Sequence, residues 1–98
     1  MAITLVCMLW SRPGRDDALI AYEDGVLELL ADHDGILLNR LRSDGQDGRA
    51  LEVQLFEFPS DAELDGYLGD PRRAAMSGER DAAIARTELM RVEPVTAE

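Results

Sequence analysis

Residues 36–58 read ILLNRLRSDGQDGRALEVQLFEF, and this stretch decides the fold. Two runs rich in Leu, Val and Phe flank DGQDGR at 44–49. Its two Asp-Gly pairs are strong turn formers, because Asp and Gly both tolerate left-handed backbone. The runs therefore pair as an antiparallel hairpin, Ile36 to Ser43 with Ala50 to Phe58. In the second run Leu51, Val53 and Leu55 oppose Glu52 and Gln54, the two-residue period of a strand.

Upstream, AITLVCMLW from Ala2 to Trp10 is another strand. Ile3, Leu5, Cys7 and Leu9 share one face; Thr4, Val6, Met8 and Trp10 share the other. Both faces are nearly apolar, so both are expected to be covered. SRPG at 11–14 breaks the strand through Pro13 and Gly14. A helix is predicted from about Arg15 to His33, with Asp16 and Asp17 in its first turn. Leu19, Tyr22, Val26, Leu29, Leu30 and His33 form one stripe along it. Gly25 costs about 1 kcal/mol there relative to alanine, which points to close approach by another element. Asp34-Gly35 ends the helix.

Downstream, Ser60-Asp61-Ala62-Glu63 reads as a capping box that starts a short helix, with Leu64, Tyr67 and Leu68 on its apolar edge. Gly69-Asp70 interrupts it. Asp70 is an N-cap candidate and Pro71 suits the first turn of a further helix, Pro71 to about Ala85. RTELMRVEPV, Arg86 to Val95, is the last strand, followed by a short polar tail.

Strand, helix, strand, strand, helix, strand is the split βαβ order of a ferredoxin-like α+β domain. Residues 1–98 make one such domain, since a typical domain needs roughly 100–150 residues. Its helices lie on one face of a four-stranded antiparallel sheet and leave the other bare. Val6, Met8, Trp10, Phe56 and Phe58 are the candidates for that bare face. An apolar patch of this size is a liability in a monomer, so a second copy is expected to cover it.

Twenty Asp and Glu face ten Arg, there is no lysine, and the formal net charge is −10. That acidity argues against nucleic acid and against anionic membranes, both of which attract basic surfaces. No run of about 18 apolar residues occurs. Cys7 is the single cysteine, so no internal disulfide forms. A soluble cytoplasmic protein is the expected reading.

The chain resembles the dimeric α/β-barrel superfamily over nearly its whole length, and most closely its uncharacterised members. The resemblance is carried by the apolar opening strand and the tyrosine-bearing first helix. It continues in HDGILLNR at 33–40, VQLFEFPS at 53–60, YLGDP at 67–71 and Glu79-Arg80. It implies two sheets packed face to face, helices outside, and a pocket between each sheet and its own helices. Members include cofactor-free monooxygenases, polyketide cyclases, lactone isomerases and haem-degrading enzymes. The quinone-forming monooxygenases use a Trp and Asn set, and the haem degraders a helix His with Trp and Asn. Here Trp10 and Asn39 fall on strands and no helix carries Trp, so the chain departs from both patterns.

Five residues could carry chemistry. His33 has an unperturbed pKa near neutrality and could shuttle protons at a pocket rim, or simply interact with a helix C-terminus. Arg80 lies on the inward stripe of the last helix. It could clamp an anionic or carbonyl group, pair with Glu57 or Glu23, or snorkel. Tyr22 and Tyr67 could offer hydroxyls to a ligand or serve as core with a wet tip. Arg40 could face the covered side of the sheet or solvent. The expected function is binding of a small apolar or carbonyl-bearing molecule, with no cofactor. The alternatives are a cofactor-free monooxygenase, cyclase or isomerase with His33 and Arg80 catalytic, and a non-catalytic dimer. If Tyr22 and Tyr67 fill the space between helices and sheet and leave no cavity beyond about 300 Å3, the enzyme reading weakens sharply.

Overall fold

The computed structural model describes residues 2–95, so all of the polar tail beyond Val95 lies outside the described residues. Strand β1 spans Ile3–Ser11, β2 Ile36–Arg42, β3 Glu52–Phe58 and β4 Ile84–Val92. Helix α1 spans Asp16–Leu27, α2 Asp61–Leu68, α3 Pro71–Ala75 and α4 Ser77–Ala83, with a 3-10 turn at Leu30–His33. The sheet order is β2-β3-β1-β4 and every neighbouring pair is antiparallel. This is the ferredoxin-like arrangement.

Register assigns the faces. Leu5 pairs with Phe56, Cys7 with Gln54 and Leu9 with Glu52, and paired residues point the same way. That face packs under the helices. Leu19, Tyr22, Val26 and Leu30 close on it from α1 and the 3-10 turn, and Leu64 and Tyr67 from α2. Phe56 and Phe58 meet edge to face at 5.9 Å, and Tyr67 leans on Phe58 at 5.5 Å. Each such aromatic pair adds about 0.5–1.5 kcal/mol beyond its buried area.

Phe56 and Phe58 are therefore core, not bare-face residues, which corrects the expectation above. The Phe residues share the parity of Glu52 and Gln54, so two polar side chains go inside with them. The bare face takes Val53 and Leu55 instead, beside Val6, Met8 and Trp10 of β1 and Ile36, Leu41 and Met90 of the edge strands. Ile36, Leu41 and Met90 are 54%, 59% and 48% exposed. The whole is a slab of 41 × 37 × 16 Å.

Three local departures have visible causes. The first helix stops at Leu27, and His33 belongs to the 3-10 turn that follows. Asp34 then takes left-handed backbone (φ 59°). Gly35 passes so close to the core that a Cβ there would lie 2.7 Å from the Phe58 ring. The last helix breaks at Met76, just before Ser77-Gly78, two poor helix formers in succession. The Met76 methyl seats on Gly25, 3.2 Å from where a Cβ would stand, which is the close approach expected of that glycine. Strand β4 begins at Ile84, two residues early, because the Arg12 N–H takes the Ala83 carbonyl at 2.9 Å and draws the chain out of helix. Both N-caps form, Ser60 accepting from the Ala62 N–H and Asp70 from the Arg72 N–H, but the reciprocal bond of the capping box does not: Glu63 accepts from the Ser60 hydroxyl instead.

Candidate functional site

A cavity of about 180 Å3 lies between the sheet and the helices. Cys7, Leu9, Gln54 and Phe56 contribute from the two central strands, Tyr22 and Glu23 from α1, and Tyr67 and Leu68 from α2. Arg73 of α3, Arg80 of α4, and Thr87 and Leu89 of β4 complete it. The volume is about that of six waters in the liquid, at roughly 30 Å3 each. It is below the roughly 300 Å3 at which drug-sized sites begin, the outcome that weakens the enzyme reading, and only a small ligand fits in the space as it stands.

Of the five residues singled out in the sequence, the fold brings Tyr22, Tyr67 and Arg80 to this cavity. It places the other two elsewhere. The His33 Nε2 donates to Asp70 Oδ2 at 2.8 Å, and Arg72 donates to the same carboxylate through Nε, Nη2 and its backbone N–H. Hydrogen bonds from Arg72 and then His33 hold the Asp70 carboxyl well below the usual carboxylate range. The result is a clasp between the 3-10 turn and the start of α3. Arg40 faces the covered side of the sheet, where it donates to Glu52 through Nε at 2.5 Å and to Asp24 through Nη1 at 2.6 Å.

The residues missed in the sequence are the most informative. Glu23 is only 5% exposed. It occupies the i+4 position of a stripe whose other members are Leu19, Tyr22, Val26 and Leu30, and an acid inside that stripe was the available signal. The Gln54 amide donates to Glu23 Oε1 at 2.8 Å and to Glu52 Oε1 at 2.9 Å. Asp24, Arg40, Glu52, Gln54 and Glu23 thus form one chain of polar contacts. Arg40 and Arg42 neutralise Glu52, but no cation pairs with Glu23 among the described residues.

Burial pushes the Glu23 carboxyl above its ordinary value. The Gln54 hydrogen bond opposes that and the Glu52 charge adds to it. Oε2 makes no hydrogen bond among the described residues, yet no side-chain oxygen or nitrogen sealed from solvent lacks a partner there. Oε2 is therefore not sealed from solvent, and Glu23 is among the residues that line the cavity.

A carboxyl whose pKa is raised in the folded state favours folding at low pH. That contribution is complete below the unfolded value of about 4.3 and is lost as pH rises through the folded value. Glu23→Gln is accordingly expected to leave stability nearly unchanged at pH 4. At pH 8, where the buried charged carboxyl opposes folding, it should raise Tm. Thermal melts of both proteins between pH 4 and 8 check this, and a difference that does not grow with pH refutes it.

Two guanidinium groups line the same cavity. Arg80 Nη2 donates to the Thr87 hydroxyl at 2.9 Å, and Arg73 lies 4.5 Å over the Tyr67 ring. Neither makes a salt bridge among the described residues, although the chain carries twice as many acids as arginines. Of the partners considered for Arg80, Glu57 lies on the opposite face of the sheet, paired with Thr4 and Ile36. Burial pushes both the Cys7 thiol and the Tyr67 phenol up to about 12. Cys7 is therefore a neutral wall rather than a thiolate nucleophile. Tyr22 is raised for the same reason, so both phenols keep their protons; Tyr67 donates its own to the Val26 carbonyl at 3.4 Å, which leaves Tyr22 as the free donor.

No family model matches the chain, and no curated protein matches it. Solved structures do. A protein of unknown function from Rhodopseudomonas palustris, RPA0582, has 20% identity and a TM-score of 0.78 over 98% of this chain and 84% of its own. A NIPSNAP-like domain protein from Burkholderia xenovorans has 12% identity and a TM-score of 0.75 over 99% and 88%. A candidate antibiotic biosynthesis monooxygenase from Bacteroides thetaiotaomicron has 14% identity and a TM-score of 0.73 over 97% and 90%. At these identities the likeness is one of fold. This chain shares the ferredoxin-like α+β fold of NIPSNAP-like and antibiotic-biosynthesis-monooxygenase-like proteins, many of them uncharacterised.

Proposed function

We propose that this protein is a homodimer that binds a small, carbonyl-bearing anion between its sheet and its helices. The observation that carries the reading is the pair Arg73 and Arg80. In a chain of net charge −10, two guanidinium groups reach one cavity and neither is neutralised by a carboxylate of the described chain. An arginine left without an anion is the ordinary condition of an anion-binding site, because its planar fork matches a carboxylate. Tyr22 supplies a neutral hydroxyl donor, and Cys7, Leu9, Phe56 and the Tyr67 ring an apolar wall. The limited volume selects short acids over polyketide-sized substrates. Dimerisation is supported by the apolar bare face and by the thinness of the slab.

Titration calorimetry and thermal shift with pyruvate, 2-oxobutyrate and the neutral ketone 2-butanone test the anion site. Both acids are expected to bind and raise Tm, and 2-butanone to bind at least tenfold more weakly. Arg73→Gln and Arg80→Gln should each weaken the acids tenfold or more, about 1.4 kcal/mol. Their Tm without ligand should change little, since Arg80 makes only one side-chain hydrogen bond to the described chain. Equal binding of ketone and acid, or variants that bind as well as the parent, refute the reading.

A further inference from the structure

Glu23 has no part in holding an anion; a carboxyl group beside two anion-binding arginines even opposes it. We propose that Glu23 is a proton-transfer residue and that the cavity enolises a bound 2-oxo acid. The inference deepens the binding reading above and rests on it.

The geometry supplies the parts. The Gln54 amide holds Glu23 through Oε1, while Oε2 has no hydrogen bond among the described residues, in a side chain that lines the cavity. The amide is itself fixed, because its nitrogen also donates to Glu52, which Arg40 and Arg42 anchor. A base held in one orientation against a ligand is what general base catalysis requires. Burial strengthens that base by disfavouring its charged form. Arg73 and Arg80 bring positive charge to the same cavity, the charge that an enolate oxygen requires.

In the proposed step the Glu23 carboxylate takes a proton from C3 of the 2-oxo acid. The C3–H electron pair becomes the C2–C3 π bond, and the carbonyl π pair moves onto oxygen, giving an enolate opposite the guanidinium groups. The carboxyl then returns a proton to C3. No electrons leave the pair of molecules, and neither an oxidant nor a second substrate is consumed.

The proton taken from C3 exchanges with solvent while it sits on the Glu23 carboxyl, so in D2O the carboxyl returns a deuteron and the step is readable without knowing the natural substrate. Proton NMR of pyruvate in D2O follows loss of the methyl signal with the parent protein, Glu23→Gln and Glu23→Asp, while thermal shift measures pyruvate binding by each. The parent is expected to exchange the methyl protons at least 100-fold faster than Glu23→Gln, with Glu23→Asp between them. Glu23→Gln should bind pyruvate at least as tightly as the parent. Pyruvate bound by the parent without accelerated exchange overturns this inference and leaves the binding reading intact, as does equal exchange by Glu23→Gln. No pyruvate-dependent shift in any of the proteins overturns both.

Discussion

Leu55→Glu is expected to turn a dimer into a folded monomer. Leu55 sits in the middle of the bare face, between Val6 on β1 and Asn39 on β2, and is half-buried even in one subunit. Packed against a second sheet it would lose its remaining water, and a carboxylate in its place would enter an apolar layer without a partner. An uncompensated buried charge costs about 3–5 kcal/mol. Two-fold symmetry brings that loss in twice, so the dimer Kd should rise at least 10³-fold, about 4 kcal/mol. Light scattering behind a sizing column reads the mass, and circular dichroism confirms that the monomer keeps its secondary structure at a lowered Tm. Phe58→Glu is the contrasting variant. Phe58 is fully buried under the helices, so the same charge there should abolish folding rather than split a dimer. A parent protein that runs as a monomer, or a Leu55→Glu variant that stays dimeric, removes the bare face as an interface.

The contrast between Leu55 and Phe58 also shows what could be read in the chain beforehand. Element order was legible because the DGQDGR turn, the apolar first strand and the Ser60 and Asp70 caps are local signals. Sheet parity was not. In β3 the alternation sets Glu52 and Gln54 against Val53 and Leu55, and on hydrophobicity alone the polar pair belongs outside. It goes inside because the two Phe residues share its parity and dominate the buried area, and because Arg40 and Arg42 reach across from β2 to neutralise Glu52. That compensation is set by register between two strands, and a hairpin loop of uncertain length does not disclose register. The candidate site was half legible for the same reason. Tyr22, Tyr67 and Arg80 carry helical periodicity, whereas Arg73 sits on a five-residue helix created by the break at Met76. His33 is a residue type suited to proton transfer but was drawn out of the stripe when α1 ended at Leu27.

Arg40→Met follows from that compensation, and should be the most damaging change that touches no apolar core residue. Glu52 has no exposed surface, and its carboxylate is held by Arg40 at 2.5 Å, by Gln54 at 2.9 Å and by Arg42 at 3.2 Å. Burial alone would raise its pKa, but the hydrogen bonds from Arg40, Gln54 and Arg42 outweigh burial and leave it below the ordinary value. A group lowered in this way contributes stability above the unfolded value of about 4.3 and loses it as pH falls through the folded value. Removing Arg40 strips the strongest of these contacts and leaves a buried charge with one half-exposed arginine. Losing one partner of a buried pair costs about 3–5 kcal/mol, and the remaining Arg42 places the effect near the lower end. At roughly 4–8 °C per kcal/mol, Tm should fall by more than 10 °C at pH 7. The deficit should shrink below pH 4, where Glu52 of the variant is protonated and no longer needs a cation. Adding Glu52→Gln to Arg40→Met removes the charge itself and should recover much of the loss at pH 7. Urea melts of the two variants at pH 7 and pH 4 decide the matter. If Arg40→Met is as stable as its parent, Glu52 is not held by this contact, and the chain of polar groups that positions Glu23 loses its anchor.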